Sequence, residues 1–174
     1  LCRPLDLYFQ WFSKSAAARL APLFWRSSVI LLTGIIMPPA YRISLPASFI
    51  GFLWMLVSLL AAFLLCTSYA MLICAVRMKI TWGDGITNMM MLIGSILSGA
   101  YLPLQLWPEW MQGFLRLQPF AGYLDIPVRL YIGTISPERA ISSVSIQILW
   151  SVVFIISGKL LMAKRLRTIV IQGG

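Results

Sequence analysis

From Leu102 to Gly133 the chain reads LPLQLWPEWMQGFLRLQPFAGYLDIPVRLYIG, and this stretch decides how the rest is to be folded. It is apolar enough to enter a bilayer, with Trp107, Trp110, Phe114, Phe120, Tyr123 and Tyr131 among its aromatics. Prolines at 103, 108, 119 and 127 nevertheless break any helix long enough to cross one. Irregular backbone survives at membrane depth only when it is buried in protein or lines a cavity. The stretch therefore predicts a re-entrant or interfacial element of short helices. Pro108 can open one of them, with Glu109 near its positive end and Trp110, Phe114 and Leu117 on one face. An aromatic belt anchoring an outer loop is the plainer alternative, which Trp107 and Trp110 satisfy by themselves.

The surrounding composition is that of a membrane protein. Of 174 residues, 60% are hydrophobic and 11% are charged, against roughly 45–50% and about 25% in soluble domains. There is no histidine and there are five acidic residues, which excludes Ser-His-Asp, Cys-His and His-metal chemistry. The net charge of +9 does not read as a nucleic-acid surface, because the basic residues sit between apolar runs and not on one solvated face. No phosphate loop of the GxxxxGK[ST] type is present. Cys2, Cys66 and Cys74 are too few for a disulfide framework and read as small buried residues.

Charge-free intervals delimit the spans, since a hydrocarbon core of about 30 Å needs about 20 helical residues. Four spans follow, at about 20–40, 47–76, 85–102 and 141–162. The first must end at Pro38-Pro39 and carry Arg26 turned to protein or snorkelling. Four crossings put Arg3, Lys14, Arg19, Arg26, Arg77, Lys79, Lys159, Lys164, Arg165 and Arg167 on one side. Only Arg42, Arg116, Arg129 and Arg139 fall on the other. The positive-inside rule then places both ends of the chain in the cytoplasm, 1–19 and 163–174 included, and 103–138 outside.

Three further features suggest contacts. Leu5, Tyr8, Phe9 and Phe12 share one face of a short amphipathic helix over 1–14, which either lies in the headgroup interface or docks a soluble partner. Ser58, Ala62, Cys66, Ala70 and Cys74 recur every four residues, a small-residue stripe for packing within the chain or against a second copy. The last span carries Gln147 with Ser142, Ser143, Ser145 and Ser151, groups suited to hydrogen-bonding a neighbouring helix or touching a solute.

Pro103-Leu104, Trp107-Pro108-Glu109-Trp110, Pro119-Phe120, Pro127 and Tyr131-Ile132-Gly133 resemble the outer re-entrant region of type-2 ABC exporter permeases. The opening Arg3-Pro4-Leu5 and the ending from Gly158 through Lys164-Arg165-Leu166 to Gln172-Gly173-Gly174 are similar to the same family. The resemblance implies an all-α polytopic bundle of six spans, of which this chain shows four and lacks the first two. It implies an inner-membrane transport subunit that pairs with a second permease chain, in lipid, and couples to a separate ATP-binding subunit. ATP and Mg would be bound by that partner, with no cofactor in this chain. Arg3, Asp6, Tyr8 and Trp11 become candidates for the coupling surface. Two other classes compete: a lipid-modifying membrane enzyme, for which Asp84, Glu109, Asp125 and Glu138 are the available acids, and a non-catalytic scaffold. The substrate is not legible, since Met89, Met90, Met91 and Phe154 suit an apolar solute and lipid contact equally.

Overall fold

A computed structural model describes residues 6–38, 45–78 and 84–166. They are helical, with no strand among the described residues: α1 (Leu7–Ile36), α2 (Phe49–Arg77), α3 (Gly85–Leu97), α4 (Glu109–Leu117), α5 (Asp125–Ile132) and α6 (Pro137–Leu166). Two 3-10 turns, Leu104–Leu106 and Pro119–Gly122, lie between α3 and α5.

Three of these helices, α1, α2 and α6, are long and apolar enough to cross a membrane. Two boundaries differ from the sequence expectation, each for a local reason. The amphipathic segment and the first span form one helix: Ser15-Ala16-Ala17-Ala18-Arg19 holds neither glycine nor proline, and the helix continues through Pro22, which costs it one backbone hydrogen bond. Its 30 residues extend about 45 Å, more than a hydrocarbon core needs. Met37, forced toward extended backbone by Pro38, ends it with ψ 149°. The expected span at 85–102 is a 13-residue helix of about 20 Å, too short to cross alone. It stops because the chain turns at Gly99, whose φ of +85° lies in the left-handed region that glycine adopts without a Cβ clash.

α2 and α6 form the central pair and run parallel. Ser58 faces Gln147 near their first third, and Leu72 faces Gly158 farther along. Two parallel helices in one chain require a return path, and α3 with the segment from Ser98 to Ser136 supplies it. α1 starts where α2 and α6 end: Tyr8 is buried with Met71, Ala75 and Met162. Most of its remaining surface is exposed and apolar, Phe24, Trp25, Ile30 and Ile36 among it, as a helix solvated by lipid requires.

The small-residue stripe does not stay on one face. At 100° per residue a four-residue repeat drifts by about 40° per step, so five members wind well around the helix. Ser58 and Ala62 are buried, Ala70 is half-buried, and Cys66 and Cys74 are exposed free thiols, not the buried groups their small size suggested. The buried face of α2 runs instead through Ser58, Ala61, Leu65, Ser68 and Tyr69.

Candidate functional site

The segment between α3 and α6 folds back against the central pair, and its backbone polar groups show how. In an apolar surrounding every helix-terminal carbonyl needs a donor. The carbonyl of Leu97, the last residue of α3, accepts from Gln118 Nε2 at 2.8 Å, while Gln118 Oε1 accepts from the Phe120 amide at 2.8 Å. The carbonyl of Leu117, the last residue of α4, accepts from Trp150 Nε1 of α6 at 2.8 Å. Gln112 Nε2 donates to the carbonyls of Leu104 and Trp107 at 2.9 and 3.0 Å. Three side chains thus serve as caps for irregular backbone that its own helices cannot satisfy.

The deepest attachment is at Gln147, which is fully buried. Its Nε2 donates to the Gly122 carbonyl at 2.7 Å and its Oε1 accepts from Ser58 Oγ at 3.1 Å. Glycine at 122 permits this close approach: a Cβ there would lie 2.8 Å from the Leu65 side chain and 2.9 Å from that of Gln147, which would have to shift. Gln147 is ten residues into α6, so the second 3-10 turn sits about 15 Å along the helix from its first residue. Around this point Tyr69, Phe120, Tyr123, Phe154 and Trp150 form an aromatic cluster, Tyr69 and Phe120 meeting edge to face at 5.1 Å. The Tyr69 hydroxyl donates to the Met90 carbonyl of α3 at 2.8 Å. Burial pushes the Tyr123 phenol above its ordinary range, and its hydroxyl has no partner among the described residues.

The proline and aromatic positions divide by role. Pro103 and Pro108 precede the first 3-10 turn and α4, and Pro119 opens the second 3-10 turn. Pro127 is buried in the first turn of α5. Trp107 is half-buried against Leu104 and Leu115, its indole N–H without an acceptor among the described residues. Glu109 is the first residue of α4, and Trp110, Phe114 and Leu117 are exposed along it. Gly133, with φ +83°, ends α5, and the Ala47 amide beyond it donates to the Tyr131 carbonyl at 3.2 Å.

Above the second 3-10 turn, α4, α5 and the first turns of α6 enclose a cleft of about 550 Å³. Arg116, Arg129, Arg139, Asp125 and Glu138 line it over an apolar floor that includes Leu115 and Ile126. Arg129 Nη1 lies 3.4 Å from Asp125 Oδ2, and burial raises the Asp125 carboxyl above its usual range despite that guanidinium.

At the opposite end of the bundle the expected coupling residues do not form one exposed face. Arg3 lies outside the described residues. Asp6 caps α1, accepting from the Tyr8 amide at 3.0 Å, and pairs with Lys159 Nζ of α6 at 2.7 Å. That hydrogen bond from Lys159 holds the Asp6 carboxyl below its ordinary range. Tyr8 is buried against Gly158, where a Cβ would come within 3.2 Å of the phenol oxygen. Only Trp11 is half-exposed, with Lys14 Nζ 5.5 Å from its ring centre. The acids are separated: Asp84 pairs with Arg77 at 2.8 Å, Glu109 is exposed on α4, and Asp125 and Glu138 share the cleft. Nothing in the sequence signals the Asp6–Lys159 pair, whose members stand near opposite ends of the chain, or the meeting of Gln147 with Gly122.

Three apolar helices long enough to cross a bilayer, two of them parallel and joined through a folded-back segment, define a multi-pass membrane protein. The family model described as ABC-2 type transporter matches residues 22–126, more than half of the chain, and the chain belongs to that family. It is a membrane permease component of an ABC transporter. No curated protein and no solved structure matches it.

Proposed function

We propose that this chain forms part of the translocation pathway of an ATP-driven exporter in the cell membrane, energised by a separate ATP-binding subunit and paired with a second permease chain. The observation that carries the reading is the attachment of the folded-back segment to α2 and α6 at Gln147, together with family membership. An element of short helices and turns, held ten residues into a spanning helix by buried hydrogen bonds, is positioned to close a pathway from one side. The excess of Lys and Arg at the end that carries Asp6 supports a cytoplasmic location for that end. Both termini of the described chain would then face the ATP-binding partner.

Nucleotide binding in a partner can shift a permease between inward and outward states only through contacts that differ between them. The first turns of α1 are clamped to α6 by Asp6–Lys159 and by Tyr8 against Gly158, so a push on the exposed Trp11–Lys14 face is delivered to a spanning helix. Trp11→Ala with Lys14→Glu, in the full-length permease reconstituted with its ATP-binding subunit, should uncouple ATP hydrolysis from transport. Unchanged coupling removes this surface from the account.

A further inference from the structure

The cleft between α4, α5 and α6 has the chemistry of a binding site that neither the fold nor the pathway requires. Three arginines line it from three elements: Arg116 from α4, Arg129 from α5 and Arg139 from α6. Their possible internal partners do not satisfy them. Asp125 touches Arg129 only through one contact of 3.4 Å, not the two short parallel bonds of a bidentate pair. Arg129 Nε is buried and has no acceptor among the described residues. Arg116 and Arg139 have no ion-pair partner among the described residues, although Glu138 also lines the cleft, so three arginines there stand against two acids. The hydroxyls of Ser142 and Ser143 already donate to the Arg139 carbonyl, leaving the arginines as the donors with capacity to spare.

We propose that this cleft binds a phosphate group, presented by an anionic lipid headgroup or by a water-soluble phosphate. A carboxylate offers two oxygens to one fork, whereas a tetrahedral phosphate offers oxygens in several directions and meets guanidinium groups arriving from different elements. The volume of about 550 Å³ admits more than a bare ion, within the range of small-ligand sites. Leu115, Ile126 and Ile146 also line it, so an apolar group next to the phosphate has somewhere to lie. The site stands at the end of the bundle opposite Asp6, independent of the coupling surface.

The test is isothermal titration of the full-length permease, purified in a neutral detergent and phosphate-free buffer, with dihexanoyl phosphatidylglycerol and, separately, with inorganic phosphate. At least one should bind, and the affinity should fall tenfold or more in Arg116→Gln/Arg139→Gln, a pair of exposed positions whose folding is checked by thermal melting. Arg129→Gln should lose binding, and Arg77→Gln, at the other end of α2, should bind as the wild type does. Binding of the lipid alone identifies a headgroup site; binding of inorganic phosphate identifies a water-soluble ligand. The proposal is overturned if neither binds, if the double variant binds as tightly as the wild type, or if Arg77→Gln weakens binding equally.

Discussion

The side-chain amide of Gln147 donates to the backbone carbonyl of Gly122 at 2.7 Å, joining the first third of a spanning helix to a turn that belongs to no span. Removing that donor leaves a buried carbonyl unpaired and frees Ser58 Oγ of its acceptor. Gln147→Leu should lower stability by about 1–2 kcal/mol, the upper part of the range for hydrogen bonds between membrane helices. Gly122→Ala, which keeps the hydrogen-bonding groups but drives a methyl into Leu65 and Gln147, should cost about 1–3 kcal/mol by overpacking. Thermal unfolding in detergent, followed by near-ultraviolet circular dichroism of the aromatic cluster, measures both.

Gly133 and Gly99 have nearly the same left-handed backbone but different neighbours. A Cβ at 133 would stand 2.6 Å from Ala47, whereas one at 99 meets nothing closer than Leu104 at 3.4 Å. Each alanine substitution should cost about 1–3 kcal/mol for the backbone alone. Gly133→Ala should be the worse of the two in a thermal melt, because it also separates α5 from the start of α2. Equal losses would show that the clash is relieved by movement of the 45–48 segment.

Protonation should loosen the start of α1. The Asp6 carboxyl is held below its ordinary range by the bond from Lys159, so the stability it contributes is present above the unfolded carboxylate value of about 3.9 and lost as pH falls through the lowered value. Amide hydrogen exchange at Tyr8 and its neighbours, corrected for intrinsic rates, should accelerate below that point in the wild type. In Asp6→Asn it should show no such acid step. An identical pH profile in both proteins would mean that the pair does not hold α1 to α6.

The sequence was informative where a single residue acts on its own backbone, and silent where two distant residues meet. Pro38 ending the first helix, Pro108 preceding α4 and the arginines bounding the apolar runs are local effects, legible without a fold. The continuity of α1 was missed because amphipathicity suggested a boundary that no residue between Lys14 and Leu20 enforces. The third apolar run was long enough to cross, yet Gly99 and Pro103 cut its helix short, since an apolar interval measures composition and not helix length. The small-residue stripe failed by arithmetic: a period of four does not follow a helix of 3.6 residues per turn. Gln147 was recognisable as a hydrogen-bonding group, but its partner at Gly122 exists only once the intervening prolines have folded the chain back.

Sidedness gives a further check. In a variant with Cys2, Cys66 and Cys74 replaced by alanine, a cysteine at Gln105 should react with a membrane-impermeant maleimide added to intact cells, and one at Lys14 only after permeabilisation. Reaction of both from the same side would place the folded-back segment and the start of α1 together, against the distribution of Lys and Arg.

The central claim is that this permease is driven by ATP hydrolysed in another chain, and it is tested most directly by reconstituting the full-length protein in proteoliposomes with and without a candidate ABC ATP-binding subunit from the same cells. The account predicts stable co-purification of the two chains, ATP hydrolysis only when the subunit is present, and stimulation of that hydrolysis by the permease that survives a disulfide between cysteines at Asp6 and Lys159, which fixes α1 on α6 where it already stands. Two chains that purify apart, or hydrolysis by the subunit that is the same with and without the permease, would contradict it.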